Sequence, residues 1–277
     1  MDSAQIYKQI DIATSKPNKI EQAEIKHHLI DICDPKETYS VNQFIFDTTK
    51  LIKRIQDRNG TPLIVGGTMM YFNRLQNGMH KAPKISMDVR NQILTEGEKV
   101  GWMSMHKRLK NIDPHLATRI SPADTQRITR GLEVWAGTGE SLSDWIKRSK
   151  IAGSKFTPNF RFKVIALIPL DRSILHDKIA HRFHKMVKDG LIEEVTKLKS
   201  RPDLNPSLPS IRIVGVKQAW DYLENFGNKD DFIQKGIIAT RQLAKRQLTW
   251  LRSFKNITKI GMEKIEMSHI ISILRSS

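Results

Sequence analysis

The sequence predicts an α/β fold carrying a helical insertion, and three observations predict it. The first is a helical pattern over residues 41–58, with Phe44, Leu51 and Ile55 spaced for one face, followed by an Asn59-Gly60 turn and the apolar run Pro62 to Val65. That run has no alternation, as a parallel strand buried on both faces would read, and Gly66-Gly67-Thr68 leads straight into a helix opening at Met69. The second is another apolar run, Phe162 to Ile168, closed by Pro169. The third is the stretch between them, from Gly78 to Asn159, where helical patterns occur and no strand pattern is legible. Residues 1–77 and 160–277 are therefore expected to form the α/β core, and residues 78–159 the insertion.

Taken in order, Met1 to Tyr7 reads as the end of a strand running into a turn, and residues 31–35 and 39–40 as loop. Within the insertion, residues 88–100 and 104–112 read as helices. Ser121-Pro122 is a helix start with proline at the first helical position, leading into a helix over 124–135. Gly137 to Gly139 breaks that helix, and residues 141–150 form one more. After the second strand, residues 172–188 and 190–198 are helical, residues 201–209 with their three prolines are loop, and residues 211–226 and 230–254 are helical. A short strand at 257–260 and a helix over 263–274 finish the pattern.

Composition sets the class of partner. The net charge of +17 over 277 residues is an excess that anions must balance, and counterion release makes nucleic acid the leading candidate. A lysine-rich codon bias, or solubility, is the plainer account. Cys33 is the single cysteine, so no disulfide forms within the chain, as suits a reducing compartment. No apolar run nears the ~20 residues that span a bilayer, and Met1 to Gln5 carries no leader pattern. A cytoplasmic monomer with no membrane association is expected.

Five constellations can carry chemistry. Asp2-Ser3-Ala4-Gln5 puts a carboxylate at a strand end, where it can act as a general base, hold Mg²⁺ or simply cap a turn. Gly66-Gly67-Thr68 lets backbone approach a ligand at a helix start, or is an ordinary turn with a capping threonine. Arg127 and Arg130 in Gln126-Arg127-Ile128-Thr129-Arg130 share a helix face, suited to paired phosphates or to solvent. From Thr240 to Met262 there are six Lys or Arg and no Asp or Glu. Arg241, Lys245, Arg252 and Lys255 fall within about 80° on a helical wheel, which reads as a phosphate-backbone track. His181 and His184 have the i, i+3 spacing of a metal pair but no further ligands, so zinc is rejected, and Arg182 between them is the better candidate, as a diphosphate binder. His27, His28 and Cys33 are read as structural for the same reason.

These pieces occur in one order. Asp2 to Tyr7, Ala13 to Pro17, His28 to Asp31, Val65 to Met69 with Tyr71 and Phe72, Gln126 to Arg130, Arg182 to His184, Leu208 to Arg212 with Val214 and Gly215, and Ala239 to Arg252 together resemble the tRNA dimethylallyltransferases along essentially the whole chain. The resemblance implies transfer of a dimethylallyl group from dimethylallyl diphosphate to N6 of the adenosine just 3′ of the anticodon, with Mg²⁺. It implies Asp2 as general base and Arg182 as stabiliser of the departing diphosphate. It implies tRNA contacts at Asp2, Ser3, Ala4, Gln5, Thr68, Arg90, Gln126, Arg127, Ile128, Thr129, Arg130, Arg212, Lys217, Lys245, Arg246 and Arg252, and an insertion that grips the anticodon stem-loop. The implied fold is a P-loop-kinase-like parallel sheet with helices on both faces. The family opens with a strand and a glycine-rich loop ending Gly-Lys-Thr or Gly-Lys-Ser, and no G-x-x-x-x-G-K-[ST] occurs in this chain. An N-terminally shortened form lacking the first strand and P-loop is thus expected. Two alternatives accompany it: a catalytically inactive tRNA-binding remnant, and a prenyltransferase acting on a free adenine nucleotide.

Overall fold

The computed structural model describes residues 1–80, 83–151, 155–156, 160–225 and 227–275. Its elements run α1 (Lys19–Glu24), α2 (Val41–Gln56), α3 (Met69–Asn77), β1 (Met79–His80), α4 (Met87–Val100), α5 (Trp102–Ile112), α6 (Pro114–Ala117), α7 (Thr125–Thr138), α8 (Leu142–Ile151), β2 (Lys155–Phe156), β3 (Ile165–Ile168), α9 (Arg172–Lys188), α10 (Leu191–Lys199), α11 (Val216–Asn225), α12 (Lys229–Ser253), β4 (Thr258–Gly261), a single 3₁₀ turn (Met262–Lys264) and α13 (Met267–Arg275). They group into two compact units, Met1–Arg74 with Asn159–Ser277, and Leu75–Pro158.

The first unit is built on helix packing. Ile6, Tyr7 and Ile10 from the N-terminal segment join Phe183 of α9, Leu191, Val195 and Leu198 of α10, Val216, Ala219 and Trp220 of α11, and Phe232 and Ile237 of α12 in one core. The α9–α12 crossing is tight: a Cβ at Gly236 would lie 1.9 Å from Cζ of Phe183, so only glycine lets the ring sit on the helix backbone. The N-terminal segment is irregular and is held by side chains. Glu194 of α10 accepts the backbone N–H groups of Asp11, Ile12 and Ala13 at 2.7, 2.8 and 3.0 Å. Lys16, its side chain only 3% exposed, donates to Tyr7 O and pairs with Asp11 and Asp31 at 2.6 Å each. Arg201 pairs with Asp34 and Asp203, and both carboxyls are held below the usual carboxylate range, chiefly by those hydrogen bonds. These contacts satisfy backbone and charges that a sheet would otherwise satisfy.

The sheet is smaller than the sequence predicts. Among the described residues one parallel pair, β3 with β4, runs from Ile165 opposite Thr258 to Ile168 opposite Gly261. One face alone is covered: Ala166 and Ile260 are buried while Leu167 is 44% exposed, so β3 is not the doubly buried strand expected. Pro62 to Val65 is not a strand, and Leu63 and Val65 are 72% and 68% exposed. The backbone alongside it is Met1, whose ammonium donates to Val65 O and whose carbonyl accepts from Thr68 N. Two such contacts do not make a ladder. Met1 to Tyr7 likewise forms bends and turns, with one parallel bridge from Tyr7 to Cys33.

The second unit is helical, with its core at Ile93 of α4, Met105 and Leu109 of α5, Ala117, and Ile128 and Leu132 of α7. Asp113, 1% exposed, caps α6 through Leu116 N and accepts Ser143 N in α8. Against the expectation of no strand, β1 and β2 form a two-residue antiparallel pair, too short for periodicity to register. Helix α7 begins at Thr125 rather than at Pro122, because Asp124 accepts Arg127 N and supplies the cap. It continues through Gly137 and ends where Gly139 takes a left-handed conformation, φ +70°. Elsewhere, α1 has an Asn18/Glu21 capping box and no buried residue, so apolar periodicity gave no sign of it. Helix α11 starts at Val216, five residues after the expected start at Ile211, since Ile211 to Gly215 forms turns. The expected end of that helix at Phe226 lies outside the described residues.

Two substitutions test this packing. Gly236→Ala should cost about 1–3 kcal/mol or more through overpacking against Phe183. Leu109→Ala should cost about 2–5 kcal/mol in the helical unit. Urea unfolding followed by circular dichroism reads both as lowered midpoints.

Candidate functional site

In the first unit the site is built on a carboxylate held at a turn beside a glycine loop. Asp2 Oδ1 accepts Ala4 N at 2.8 Å and Gln5 N at 3.3 Å, which fixes the side chain. Its Oδ2 receives no hydrogen bond from the described residues. Ser3 N donates to Thr68 Oγ1 at 2.9 Å, and Thr68 Oγ1 donates to Ser3 Oγ at 3.2 Å. Gln5 Nε2 reaches Thr14 O and Ser15 O at 3.2 and 3.3 Å. The turn and the Gly66-Gly67-Thr68 loop, far apart in sequence, are thus brought together. Gly66 makes this possible: its φ is +147°, and a Cβ there would lie 2.0 Å from Met1 O.

Two neighbours complete this part. Gln247 of α12 donates to Gly67 O at 3.0 Å, tying the loop to the long helix. Gln247 lies within Lys245 to Arg252, the run whose resemblance implies tRNA contact, and its bond to the Gly67 carbonyl is a contact that spacing does not reveal. Tyr71 and Tyr7 are buried, and burial first, then neighbouring groups, pushes each phenol up to about 12. The negative charge of Asp2 is among the causes at Tyr71. Both phenols are thereby held in the neutral form. Burial also lowers the Met1 ammonium, against the opposing pull of Asp2.

Arg182 projects from α9 next to Phe183, is exposed, and has no carboxylate partner among the described residues. The same holds for Lys245, Arg246 and Arg252 on α12. Helix α12 is divided: Phe232, Ile233, Gly236, Ile237 and Thr240 are buried, while its C-terminal half exposes basic side chains. Trp250 and Phe254 close that end, with ring centroids 5.9 Å apart, and Phe254 also meets Phe72 edge-on at 4.9 Å. Arg212 is exposed beside α11, and Lys217 is paired with Asp221 at 2.8 Å.

In the second unit the Gln126–Arg130 segment is divided by the helix period. Ile128 and Thr129 are fully buried, so the RNA-facing role expected of them does not fit: they are core residues of α7. Gln126 and Arg127 are exposed, and Arg127 pairs with its own N-cap Asp124 at 2.6 Å. Arg130 Nη1 lies 2.6 Å from Glu133 Oε1, and Arg90 Nη1 lies 3.1 Å from Glu133 Oε2. Glu133 is 2% exposed. Its one signal was a carboxylate three residues after Arg130, in the otherwise apolar run Leu132 to Val134.

Among the described residues no group of three His, Cys, Asp or Glu side chains is placed to hold a metal. No helix is long and apolar enough to cross a membrane. The family model "IPP transferase" matches residues 5–254. The tRNA dimethylallyltransferase of Acidovorax sp. (strain JS42) is 45% identical over 253 residues, covering 91% of this chain and 78% of that protein. That of Burkholderia lata is 44% identical over 256 residues, with the same two coverages. Among solved structures, the full-length tRNA isopentenylpyrophosphate transferase of Bacillus halodurans is similar with a TM-score of 0.67 and 31% identity, covering 99% of this chain and 84% of its own. A eukaryotic dimethylallyltransferase acting on tRNA is similar with a TM-score of 0.74 and 26% identity, covering 94% and 66%. A match that takes in the Thr68 loop, α7, α9 and all of α12 leaves little of the molecule outside it, and the chain belongs to the IPP transferase family.

Proposed function

We propose that this chain transfers a dimethylallyl group from dimethylallyl diphosphate to N6 of an adenosine in tRNA, the one adjacent on the 3′ side to the anticodon. The observation that carries the reading is the Asp2 carboxylate, with one oxygen saturated by Ala4 and Gln5 and the other open. The N6 lone pair of adenine is delocalised into the ring and is a weak nucleophile, so the transfer needs a base. As N6 bonds to C1 of the dimethylallyl group, the C1–O bond breaks and its electron pair leaves on the diphosphate. Asp2 Oδ2 takes the N6 proton. Arg182, exposed and without a carboxylate partner, stabilises the charge that develops on the leaving diphosphate. Thr68 and Ser3, joined to each other beside Asp2, hold the target base, which must leave its stack to reach them.

Magnesium fits this site as the counter-ion of the diphosphate. No group of three His, Cys, Asp or Glu among the described residues is placed to hold a metal, and Mg²⁺ is commonly held by one or two carboxylates, substrate phosphates and water. The basic half of α12 supports an RNA partner: Lys245, Arg246 and Arg252 are exposed cations with no acidic neighbour on the helix surface around them. The two-unit division supports a core that carries the chemistry and a helical insertion, through Arg90, Arg127 and Arg130, that grips the anticodon stem-loop. The nucleotide-binding, P-loop-kinase-like character of the core belongs to the same proposal.

Asp2→Asn keeps the turn's acceptor and removes the base. It should lower kcat by about 10²–10⁴-fold with little change in tRNA affinity or thermal midpoint, measured by mass spectrometry of digested tRNA. If wild-type chain with Mg²⁺ and dimethylallyl diphosphate leaves tRNA unmodified, the reading fails. Replacing Lys245 and Arg252 by alanine should reduce the slope of log affinity against log salt by about one per contact, read by filter binding.

A further inference from the structure

We infer that Glu133 is a positioning residue, which holds Arg90 and Arg130 together as a two-armed clamp for RNA phosphates. This deepens the tRNA reading above and rests on it.

A carboxylate that is 2% exposed must be paired, since a buried charge left alone is strongly unfavourable. Glu133 is paired twice. Its Oε2 accepts Arg90 Nη1 from α4 at 3.1 Å, and its Oε1 accepts Arg130 Nη1 from α7 at 2.6 Å. Arg130 Nη2 also donates to Pro83 O at 3.1 Å, which fixes the plane of that guanidinium. The two arginine side chains remain 37% and 31% exposed. Each guanidinium therefore keeps N–H donors turned to solvent while its inner edge is anchored.

The charge balance separates this cluster from its neighbours. Arg108 with Glu96, Arg127 with Asp124 and Arg148 with Glu140 are one-to-one pairs on the surface of the same unit. Here two cations share one buried anion, a local excess of one positive charge that a ligand can neutralise. Free arginine side chains lose rotamer entropy on binding, and a pair already fixed by a buried carboxylate loses less. Planar forks suit phosphate oxygens better than a flexible ammonium does. Because the arms stand on different helices, their spacing is set by the α4–α7 core at Ile93, Ile128 and Leu132. The buried Ile128, Thr129 and Glu133 thus serve the RNA surface from beneath, through Arg90 and Arg130.

A plain staple between α4 and α7 would give the same contacts, and the experiment separates the two. Filter binding of tRNA to the full chain is measured across a salt series for wild type, Glu133→Gln, Glu133→Asp and Arg90→Gln, with thermal midpoints for each. Arg90→Gln leaves Glu133 paired to Arg130 and removes one arm. We expect about tenfold weaker binding and a salt slope smaller by about one, with a midpoint close to wild type. Glu133→Gln should weaken binding by a similar factor, with the loss in KM for tRNA rather than in kcat, and Glu133→Asp should restore part of it. If Arg90→Gln and Glu133→Gln bind tRNA with wild-type affinity and slope at temperatures where they are folded, the clamp is overturned and the cluster is a staple. If Glu133→Gln does not fold, Arg90→Gln alone decides. Failure of the wild type itself to bind tRNA would instead sink the parent reading.

Discussion

The packing of the Phe183 ring on the bare backbone at Gly236 is the contact from which the first unit follows. With little sheet to organise it, this unit depends on how closely α9 and α12 approach. That approach sets where the remaining length of α12 runs. One end joins Tyr222 and Phe183 around Phe232, and the other carries Gln247 to the Gly67 carbonyl and Trp250 to Phe254. It also places Arg182, the residue before Phe183, on the outward side of α9. A larger side chain at position 236 would move the helix axes apart and with them both ends of the site.

Carboxylates are used sparingly and mostly as anchors. Glu194 satisfies three consecutive backbone N–H groups, Asp113 ties two helices, Asp34 and Asp203 fork around Arg201, and Glu133 carries two arginines. Because 29 acidic residues face 46 basic ones and several of the acids are spent internally, cations are left over at the surface. Part of the excess lies on the C-terminal half of α12, where one helix face carries Lys245 and Arg252 with no acid beside them. That face has the sign and layout that a phosphate backbone recognises.

Long elements were legible in sequence, because burial of one face imposes a period. Helices α4, α5, α9 and α12 fall within a residue or two of their predicted spans, and so do β3 and β4 in part. Short or irregular elements were not. The two-residue pair of β1 and β2 has no period, α1 buries nothing, and Pro62 to Val65 is apolar without being enclosed. The site residues divide in the same way. Asp2, Thr68 and Arg182 are motif members, whereas the Gln247 bond to Gly67 and the Glu133 bond to Arg90 span 180 and 43 residues, and no local spacing reveals them.

Sequence by itself determined the helical periodicities, the charge excess, the acid-free basic stretch from Thr240 to Met262, and the ordered motifs that carry the family resemblance. These are properties of residue type and spacing, and they need no third dimension. Tertiary structure alone decided which members of Gln126 to Arg130 face outward, since a helix turns Ile128 and Thr129 into the core while leaving Arg127 and Arg130 near solvent. It alone joined Asp2 and Ser3 to Thr68, through a glycine whose φ no other residue adopts readily. And it alone gave Glu133 its place beneath two arginines, because a buried charge is stable only where distant parts of the chain bring it a partner.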